Sequence, residues 1–226
     1  PSEIEIYGDS EYSICNLISI LRDFPKHFTQ EIKKIKYDKQ QYLEMRSTYQ
    51  SDEFTSLSKM KQAIITYSVR RMSRGGLCGT FCWSKRMYAG GTVPAEIHGW
   101  NTMLEILPKI SERLKNVQII HNDWKEVMNN FNHENSVAYL DPPYPKTTRV
   151  FKNAYLKEMT IEQHQELGHY LRFTKSKVLL SSYPSKLYDE LFQGWRCEKK
   201  QAANHSSHEK IKEKKTECLW LNFMDN

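Results

Sequence analysis

The apolar positions of this chain repeat with two periods, and the two periods alternate along the sequence. Residues 3–7 ("EIEIY") alternate between polar and apolar side chains, as a half-buried strand does, and lead into Gly8-Asp9-Ser10. Four apolar residues then recur at helical spacing before Pro25, namely Ile14, Leu17, Ile18 and Leu21. The pattern predicts a strand, an acidic turn and a helix.

A second run of alternating helices and strands begins near residue 98. Thr160 and Gln163 form a capping-box pattern at the start of one of its helices. Residues 195–201 and 216–223 have the pattern of two strands joined by a polar loop, a terminal hairpin. Periodicity predicts four more helices, over 98–115, from Trp124, over 161–173 and through Leu187 and Leu191. It also predicts three more strands, over 117–121, 136–140 and 177–182.

Strands that alternate with helices predict an α/β fold, with a mostly parallel, Rossmann-like sheet, flanking helices and a C-terminal antiparallel hairpin. Residues 28–73 are polar and helical in pattern, and residues 74–99 are rich in glycine, aromatic and basic residues. We expect residues 1–27 and 100–226 to form one domain that carries residues 28–99 as an insertion. A buried stripe is expected in the insertion, formed by Phe54, Leu57, Met60, Ile64 and Tyr67.

The composition is that of a globular protein, because 226 residues at 39% hydrophobic can bury one substantial core. No run approaches the roughly eighteen apolar residues of a membrane span, and residues 1–10 lack the layout of a signal peptide. We therefore expect a soluble, cytoplasmic protein with no membrane partner. Five scattered cysteines favour reduced thiols. We expect no metal, since Cys78, Cys82 and His98 lack a second close pair of ligands.

The excess of basic over acidic residues, 33 to 27, is clustered in residues 68–76, 83–91 and 208–215. Basic clusters with neighbouring aromatic and glycine residues suit a phosphate backbone. A net charge of only +6 is equally compatible with solvated loops. Charge alone leaves both interpretations open.

Acidic residues follow three of the predicted strands, at the edge where α/β sheets bind ligands. Asp9 follows the first strand and Asn122-Asp123 the second. Asp9 is suited to bind a ribose diol, and it or Ser10 is equally suited to cap the next helix. Asp123 can be an N-cap for the helix at Trp124, an acceptor for the amino group of an adenine ring, or both.

Residues 137–144 ("VAYLDPPY") run from a predicted buried strand directly into an acid, two prolines and an aromatic ring. Pro142 and Pro143 have fixed φ and no backbone donor, so they end the strand and keep the chain rigid. The turn directs two acceptors, the Asp141 carboxylate and the Pro142 carbonyl, to one spot beside Tyr144. Two acceptors match the two donors of a nucleobase amino group, on which the ring can stack. The alternative is a proline-rich turn without a ligand.

Residues 139–145 ("YLDPPYP") resemble the catalytic motif of the Dam-like N6-adenine DNA methyltransferases, particularly those of phages and prophages. The resemblance extends over nearly the whole chain. It includes an acidic strand-to-helix segment (5–25), a glycine- and aromatic-rich loop (74–86) and a segment that contacts the cofactor adenine (117–128). It also includes the last helical unit (177–192) and a closing hairpin (203–223).

The resemblance implies an enzyme that binds double-stranded DNA and methylates N6 of a flipped-out adenine with S-adenosylmethionine, releasing S-adenosylhomocysteine. Asp141, Pro142, Pro143 and Tyr144 would form the catalytic motif that holds the target adenine. Asp9 would bind the cofactor ribose, and Asp123 with Asn122 would contact its adenine. Candidate DNA contacts are Arg70, Arg71, Arg74, Lys85, Arg86, Phe81, Trp83, Asn204 and His205.

Members of this family carry a Pro-Gly-Gly-Lys element and a Phe-x-Gly-x-Gly loop before the segment that matches residue 1. The 226 residues contain neither. We therefore expect a catalytic domain that is incomplete at its N-terminus, with the glycine loop supplied by a preceding segment or a second chain. The alternative is a catalytically impaired, DNA-binding fragment. RNA and protein-glutamine methyltransferases can share the motif, but the insertion and the hairpin favour DNA.

Overall fold

A computed structural model describes residues 2–84, 86–88, 91–149, 158–203 and 214–224. The chain divides into two compact units, Pro1–Val127 and Met128–Asn226. No helix within the described ranges is both long and apolar enough to cross a bilayer. The helices are α1 (Tyr12–Asp23), α2 (Pro25–Lys33), α3 (Lys39–Tyr49), α4 (Glu53–Ser56), α5 (Lys59–Met72), α6 (Ala95–Leu114), α7 (Trp124–Phe131), α8 (Ile161–Leu171) and α9 (Lys186–Leu191), and the strands are β1 (Glu5–Asp9), β2 (Val117–His121), β3 (Val137–Leu140), β4 (Lys177–Ser182), β5 (Arg196–Ala203) and β6 (Lys214–Leu221).

The strands form two sheets, and the predicted α/β class is confirmed. In the first unit β1 pairs with β2 in parallel, from Glu5 opposite Val117 to Asp9 opposite His121. The second unit holds a four-stranded sheet in the order β3-β4-β6-β5. Its β3–β4 pair is parallel and its β4–β6 and β5–β6 pairs are antiparallel. The C-terminal hairpin is therefore present, as the alternating pattern indicated.

Helices α3, α5, α8 and α9 each begin after a residue whose side chain accepts a hydrogen bond from a free backbone N–H group. The Thr160 side chain accepts a hydrogen bond from Gln163 N while the Gln163 side chain accepts one from Thr160 N, so the expected capping box is confirmed. Asp38 caps α3 by accepting from two backbone amides. Ser58 and Ser185 do the same for α5 and α9 with one amide each. Local chemistry thus sets the start of these four helices.

The core of the first unit is formed mainly by helices. Phe28 and Ile32 of α2, Tyr42 of α3 and Val69 and Met72 of α5 are 0–1% exposed and pack in one cluster with residues of α1 and α6. The cluster joins the predicted insertion to helices on either side of it. Of the five residues expected in a buried stripe, Phe54 and Tyr67 are buried. The other three are partly buried, namely Leu57, Met60 and Ile64.

The prediction that β3 is a buried strand is wrong. Val137 and Tyr139 are 65% and 63% exposed, and the strand alternates between exposed and half-buried side chains. Within the described part of the chain β3 pairs only with β4, and nothing there covers the face that carries these two side chains. The neighbouring β4 is buried as predicted, with Val178 and Leu180 fully covered.

The described residues between 74 and 94 are irregular, as their composition indicated. A short 3-10 turn over Arg74–Gly76 places Gly75 and Gly76 at φ +62° and +73°, where other residues are strained. Pro94 precedes the first residue of α6, which therefore begins at Ala95, three residues before the predicted start. The segment lies between α5 and α6 and carries most of the predicted DNA-contacting residues.

Candidate active site

The first cluster of candidate residues lies at the carboxyl ends of β1 and β2. The parallel register ends with Asp9 opposite His121, so Asn122 and Asp123 follow at the same edge. Asn122 N donates a hydrogen bond to the Asp9 carbonyl oxygen at 3.1 Å. The three residues that the sequence assigned to cofactor binding are thus neighbours in the first unit.

Hydrogen bonds fix the orientation of the Asp9 carboxylate. Glu11 N donates to Oδ1 at 2.8 Å and the Tyr7 hydroxyl donates to Oδ2 at 2.9 Å. Burial, with the nearby Asp9 charge, raises the pKa of Tyr7 far above its ordinary value, so the hydroxyl stays a donor. A carboxylate held by two donors keeps further lone pairs for the hydroxyls of a ligand.

Asp123 caps α7, one of the two roles that the sequence left open. Its Oδ1 accepts a hydrogen bond from Lys125 N at 3.0 Å. Asn122 Oδ1 accepts from Asp123 N at 2.9 Å, and Asn122 Nδ2 donates to Glu126. The Asp123 side chain is exposed, so capping leaves it accessible to a ligand.

Arg70, a candidate DNA contact, forms an internal ion pair. Its Nη2 donates to both carboxylate oxygens of Glu11 at 2.6 and 2.7 Å. Glu11 also accepts from the hydroxyls of Ser13 and Tyr49. Burial opposes ionisation, but the bonds from Ser13 and Arg70 hold the pKa of Glu11 below its ordinary value. Contact between Arg70 and a phosphate would require this pair to break.

The segment between α5 and α6 is held by side chains of α3 and the turn before it. Tyr37, Tyr42 and Arg46 donate hydrogen bonds to the carbonyls of Cys82, Gly79 and Cys78, at 2.7–2.8 Å. The other arginines that were predicted to bind DNA have exposed side chains, namely Arg71 in the last turn of α5 and Arg74 and Arg86 in the segment. A fixed backbone therefore displays these cations to solvent.

Two aromatic candidates of this segment differ in burial. Phe81 is partly buried and packs against Tyr37 and Tyr42, with ring centroids 5.4 and 5.5 Å away. Trp83 is 46% exposed and stacks on Phe81 with 10° between the ring planes. The Phe81 ring thus lies nearly parallel to the exposed indole. Of this pair, Trp83 is the ring available to a nucleobase or sugar.

The second cluster lies in the second unit, where β3 ends at Leu140 and the Asp-Pro-Pro-Tyr turn follows. The Tyr144 hydroxyl shares a hydrogen bond with Ser181 Oγ at 2.6 Å. Its ring meets Tyr183 edge to face, with centroids 4.6 Å apart. Pro145 after it is buried. The turn is thus attached to the end of β4 through both the hydroxyl and the ring of Tyr144.

The Asp141 carboxylate is solvent-accessible but its surroundings disfavour a negative charge. Desolvation raises the pKa of Asp141, and the charge of Glu217 on β6 raises it further. A hydrogen bond from the Tyr144 hydroxyl acts in the opposite direction. A carboxylate poised in this way is a strong hydrogen-bond acceptor and favours a positive charge placed beside it.

Sequence reasoning missed the partners of the motif. Ser181, Tyr183 and Glu217 come from β4, its end and β6, far from the motif in the chain. The stretch "SSYP" that ends β4 offered a signal, because it repeats the strand-tyrosine-proline pattern of the motif itself. Glu217 offered none, since its place depends on the register of the hairpin. The candidates Lys85, Asn204 and His205 lie outside the described residues.

A comparison with models of protein families matches residues 5–216 to the family described as D12 class N6 adenine-specific DNA methyltransferase. The match covers both clusters, from Asp9 to Tyr183, and ends one residue before Glu217. No curated protein matches the chain.

Proposed function

Because the chain belongs to the D12 class of N6 adenine-specific DNA methyltransferases, we propose that it uses S-adenosylmethionine to methylate an adenine swung out of double-stranded DNA. The enzyme would act on DNA in the cytoplasm of a bacterial or phage-infected cell. A single observation carries the proposal, namely the rigid turn that holds Asp141, with its raised pKa, beside the ring of Tyr144 at a strand end. The amino group of a stacked base cannot reach such a turn, so the base leaves the helix.

The turn makes a weak nucleophile reactive by accepting its protons. The lone pair of an aromatic amine is delocalised into the ring, and hydrogen bonds from its two N–H groups favour a pyramidal nitrogen. Asp141 and the Pro142 carbonyl supply the two acceptors, Pro142 and Pro143 keep them in place, and Tyr144 stacks on the base. Positioning and electrostatic preorganisation therefore provide the catalysis.

The residues at the ends of β1 and β2 fit the nucleoside part of the cofactor. Asp9 is oriented by two donors and has lone pairs for a ribose diol. The exposed Asp123 carboxylate and the Asn122 amide are suited to the edge of an adenine ring. When bound, S-adenosylmethionine supplies an electrophilic methyl group on a sulfonium sulfur.

DNA contact is assigned to the basic segment between α5 and α6. Arg74 and Arg86 are exposed there and Arg71 is exposed in the last turn of α5, and all three would meet phosphates or guanine edges. Trp83, supported by Phe81, would stack against the distorted duplex. We add Lys85, Asn204 and His205 from the sequence and give Arg70 a structural role, because Glu11 holds its guanidinium.

We propose that a polypeptide segment outside residues 1–226 supplies the glycine loop for the methionine part of the cofactor. The support is the free edge of β3, since among the residues described β3 pairs with β4 alone. Val137 and Tyr139 are strongly exposed on this strand. An open edge with apolar side chains favours the addition of one more strand. The segment would be either part of the same protein or a second chain.

The decisive experiment incubates the chain with S-adenosylmethionine carrying a trideuterated methyl group and with DNA free of N6-methyladenine. Mass spectrometry of the nucleosides is expected to show trideuterated N6-methyladenine, with Asp141→Asn as the matched inactive control. The reaction is run alone and with a peptide that contains the family's glycine-loop strand. Label on cytosine, or no label in either reaction while DNA is bound, would contradict the proposed function.

A further inference from the structure

A second carboxylate lies on the same face of the sheet as the catalytic turn. In β4 and β6, Ser182 pairs with Cys218 and Leu180 pairs with Trp220, so these side chains share one face. The alternation of a strand places Ser181, Tyr183 and Glu217 on the opposite face. Ser181 and Tyr183 both contact Tyr144. Glu217 therefore belongs to the face and the sheet end that hold the turn.

Electrostatics agree with this placement. The charge of Glu217 raises the pKa of Asp141, of Tyr144 and of Tyr183, which come from the turn and from the end of β4. Three titratable groups in two segments sense the same carboxylate. Within the described residues the side chain of Glu217 forms no hydrogen bond or ion pair. Its exposed carboxylate is therefore not engaged by a fixed partner among the described residues.

The described cations near the turn do not cancel this charge. Lys200 of β5 pairs across the strands with Glu217, but the two described side chains form no ion pair. Arg149 lies close enough to lower the pKa of Tyr183, and it is already engaged by Glu158. The Asp141 carboxylate of the turn thus senses a second carboxylate, Glu217 of β6, and a positive charge placed beside the turn would offset this repulsion.

Resting on the function proposed above, we propose that Glu217 is a positioning residue for methyl transfer, because its charge stabilises the positive charge that the reaction brings to Asp141. The N6 lone pair forms a bond to the methyl carbon as the sulfur–carbon bond breaks, and the electron pair of that bond stays on sulfur. The positive charge moves from sulfur to N6. One proton then leaves N6 for the Asp141 carboxylate and from there passes to solvent.

The charge of Glu217 favours this step more than the ground state. Two neighbouring carboxylates repel each other before transfer, and the repulsion is relieved when N6 becomes cationic beside the turn. The same charge keeps the proton affinity of Asp141 high, so that it accepts the departing proton. Glu217 acts through Asp141 and need not touch the base.

The test compares Glu217→Gln with Glu217→Asp, which keeps the charge, and with Glu198→Gln as the matched control. Glu198 lies on β5 opposite Leu219 and forms an ion pair with Arg196. Aspartate labelled with ¹³C at its carboxyl group reports the titration of Asp141 by NMR, and Asp141→Asn assigns the signal. Single-turnover methylation is measured across pH on the same proteins.

In Glu217→Gln the pKa of Asp141 is expected to fall, because a like charge has been removed. The acidic limb of the methylation profile should move to lower pH while the plateau rate falls about tenfold. A residue that only supports the fold would lower the rate without moving the limb. Glu217→Asp should restore both properties, and Glu198→Gln should leave both unchanged.

Two failures can be told apart. An unchanged titration of Asp141 in folded Glu217→Gln overturns the role of Glu217, whatever the activity. A wild-type chain that forms no N6-methyladenine, alone or with the glycine-loop peptide, overturns the proposed function and with it any role of Glu217 in transfer. The NMR result does not depend on activity, so it identifies which proposal has failed.

Discussion

In the proposed mechanism Asp141 is required for methylation, although its charge lowers the stability of the folded chain. Desolvation and the charge of Glu217 raise its pKa in the folded chain above the value in the unfolded chain. The folded state then binds more protons than the unfolded state between the two values, so stability falls as pH rises through that window. At pH 8 the Asp141 carboxylate is ionised, so the free-energy cost of its charge to the folded state is fully present.

Asp141→Asn is therefore expected to lower methylation by at least about 100-fold and to raise the thermal unfolding midpoint at pH 8. The gain in midpoint should shrink as pH falls toward the ordinary range of an aspartate. Methylation assays and thermal scans from pH 4 to pH 8 measure the two effects. A lower midpoint at pH 8, or a difference that does not change with pH, would contradict the assignment.

In the proposed mechanism the Tyr144 side chain makes two separable contributions, a ring that stacks on the base and a hydroxyl that bonds to Ser181. Tyr144→Phe keeps the ring but loses the 2.6 Å hydrogen bond, so we expect a stability loss of about 1 kcal/mol with most activity retained. The acidic limb of the methylation profile of Tyr144→Phe should move to higher pH, because the hydrogen bond from the Tyr144 hydroxyl that lowers the pKa of Asp141 is gone. Tyr144→Ala should weaken methylation by about 10- to 100-fold, since no ring remains to stack on the base. Equal activity of the two variants in steady-state assays would exclude stacking.

Among the elements, those whose signals are local could be predicted from the sequence. β2 and β4 lie where their apolar runs placed them, and the capping box fixed the start of α8. The exposure of β3 was not predictable, because an apolar strand at a sheet edge has the same sequence pattern as one in the middle.

In the candidate site, too, the parts that have a local sequence pattern could be predicted and the parts that depend on long-range contacts could not. The proline turn at Asp141 has a local pattern, and so does the acid at the end of β1. Glu11–Arg70 joins α1 to α5 across 59 residues, and Glu217 reaches the turn through two strand pairings. Contacts of this kind depend on packing and register, which a single sequence does not contain.

The ion pair between α1 and α5 gives a prediction at the scale of elements. Arg70→Ala leaves the half-buried Glu11 carboxylate without its cation, so we expect the free energy of unfolding to fall by about 1–2 kcal/mol. Arg74→Ala removes an exposed arginine from the next turn and should change it by less than about 0.5 kcal/mol. Urea unfolding of the two variants measures the difference. If both lose the same stability, Arg70 has no special structural role.

For the whole molecule, a net charge of +6 allows DNA affinity to come from one local patch or from diffuse attraction. The structure favours the patch, because the segment that carries Arg74 and Arg86 is fixed by hydrogen bonds to its backbone carbonyls. A patch of fixed cations releases a defined number of counterions from DNA, whereas diffuse charge depends only on the total.

Two triple variants with the same change in net charge separate these cases. The plot of log affinity against log salt concentration has a negative slope. Replacing Arg71, Arg74 and Arg86 by alanine should reduce the magnitude of this slope by about 3, because each phosphate that is no longer neutralised reduces it by roughly 0.9. Replacing the exposed Lys109, Lys115 and Lys175 removes three charges elsewhere and should leave the slope nearly unchanged. Fluorescence anisotropy with a labelled duplex at several salt concentrations gives both slopes. Equal slopes in the two variants would mean that net charge, and not the segment between α5 and α6, holds the DNA.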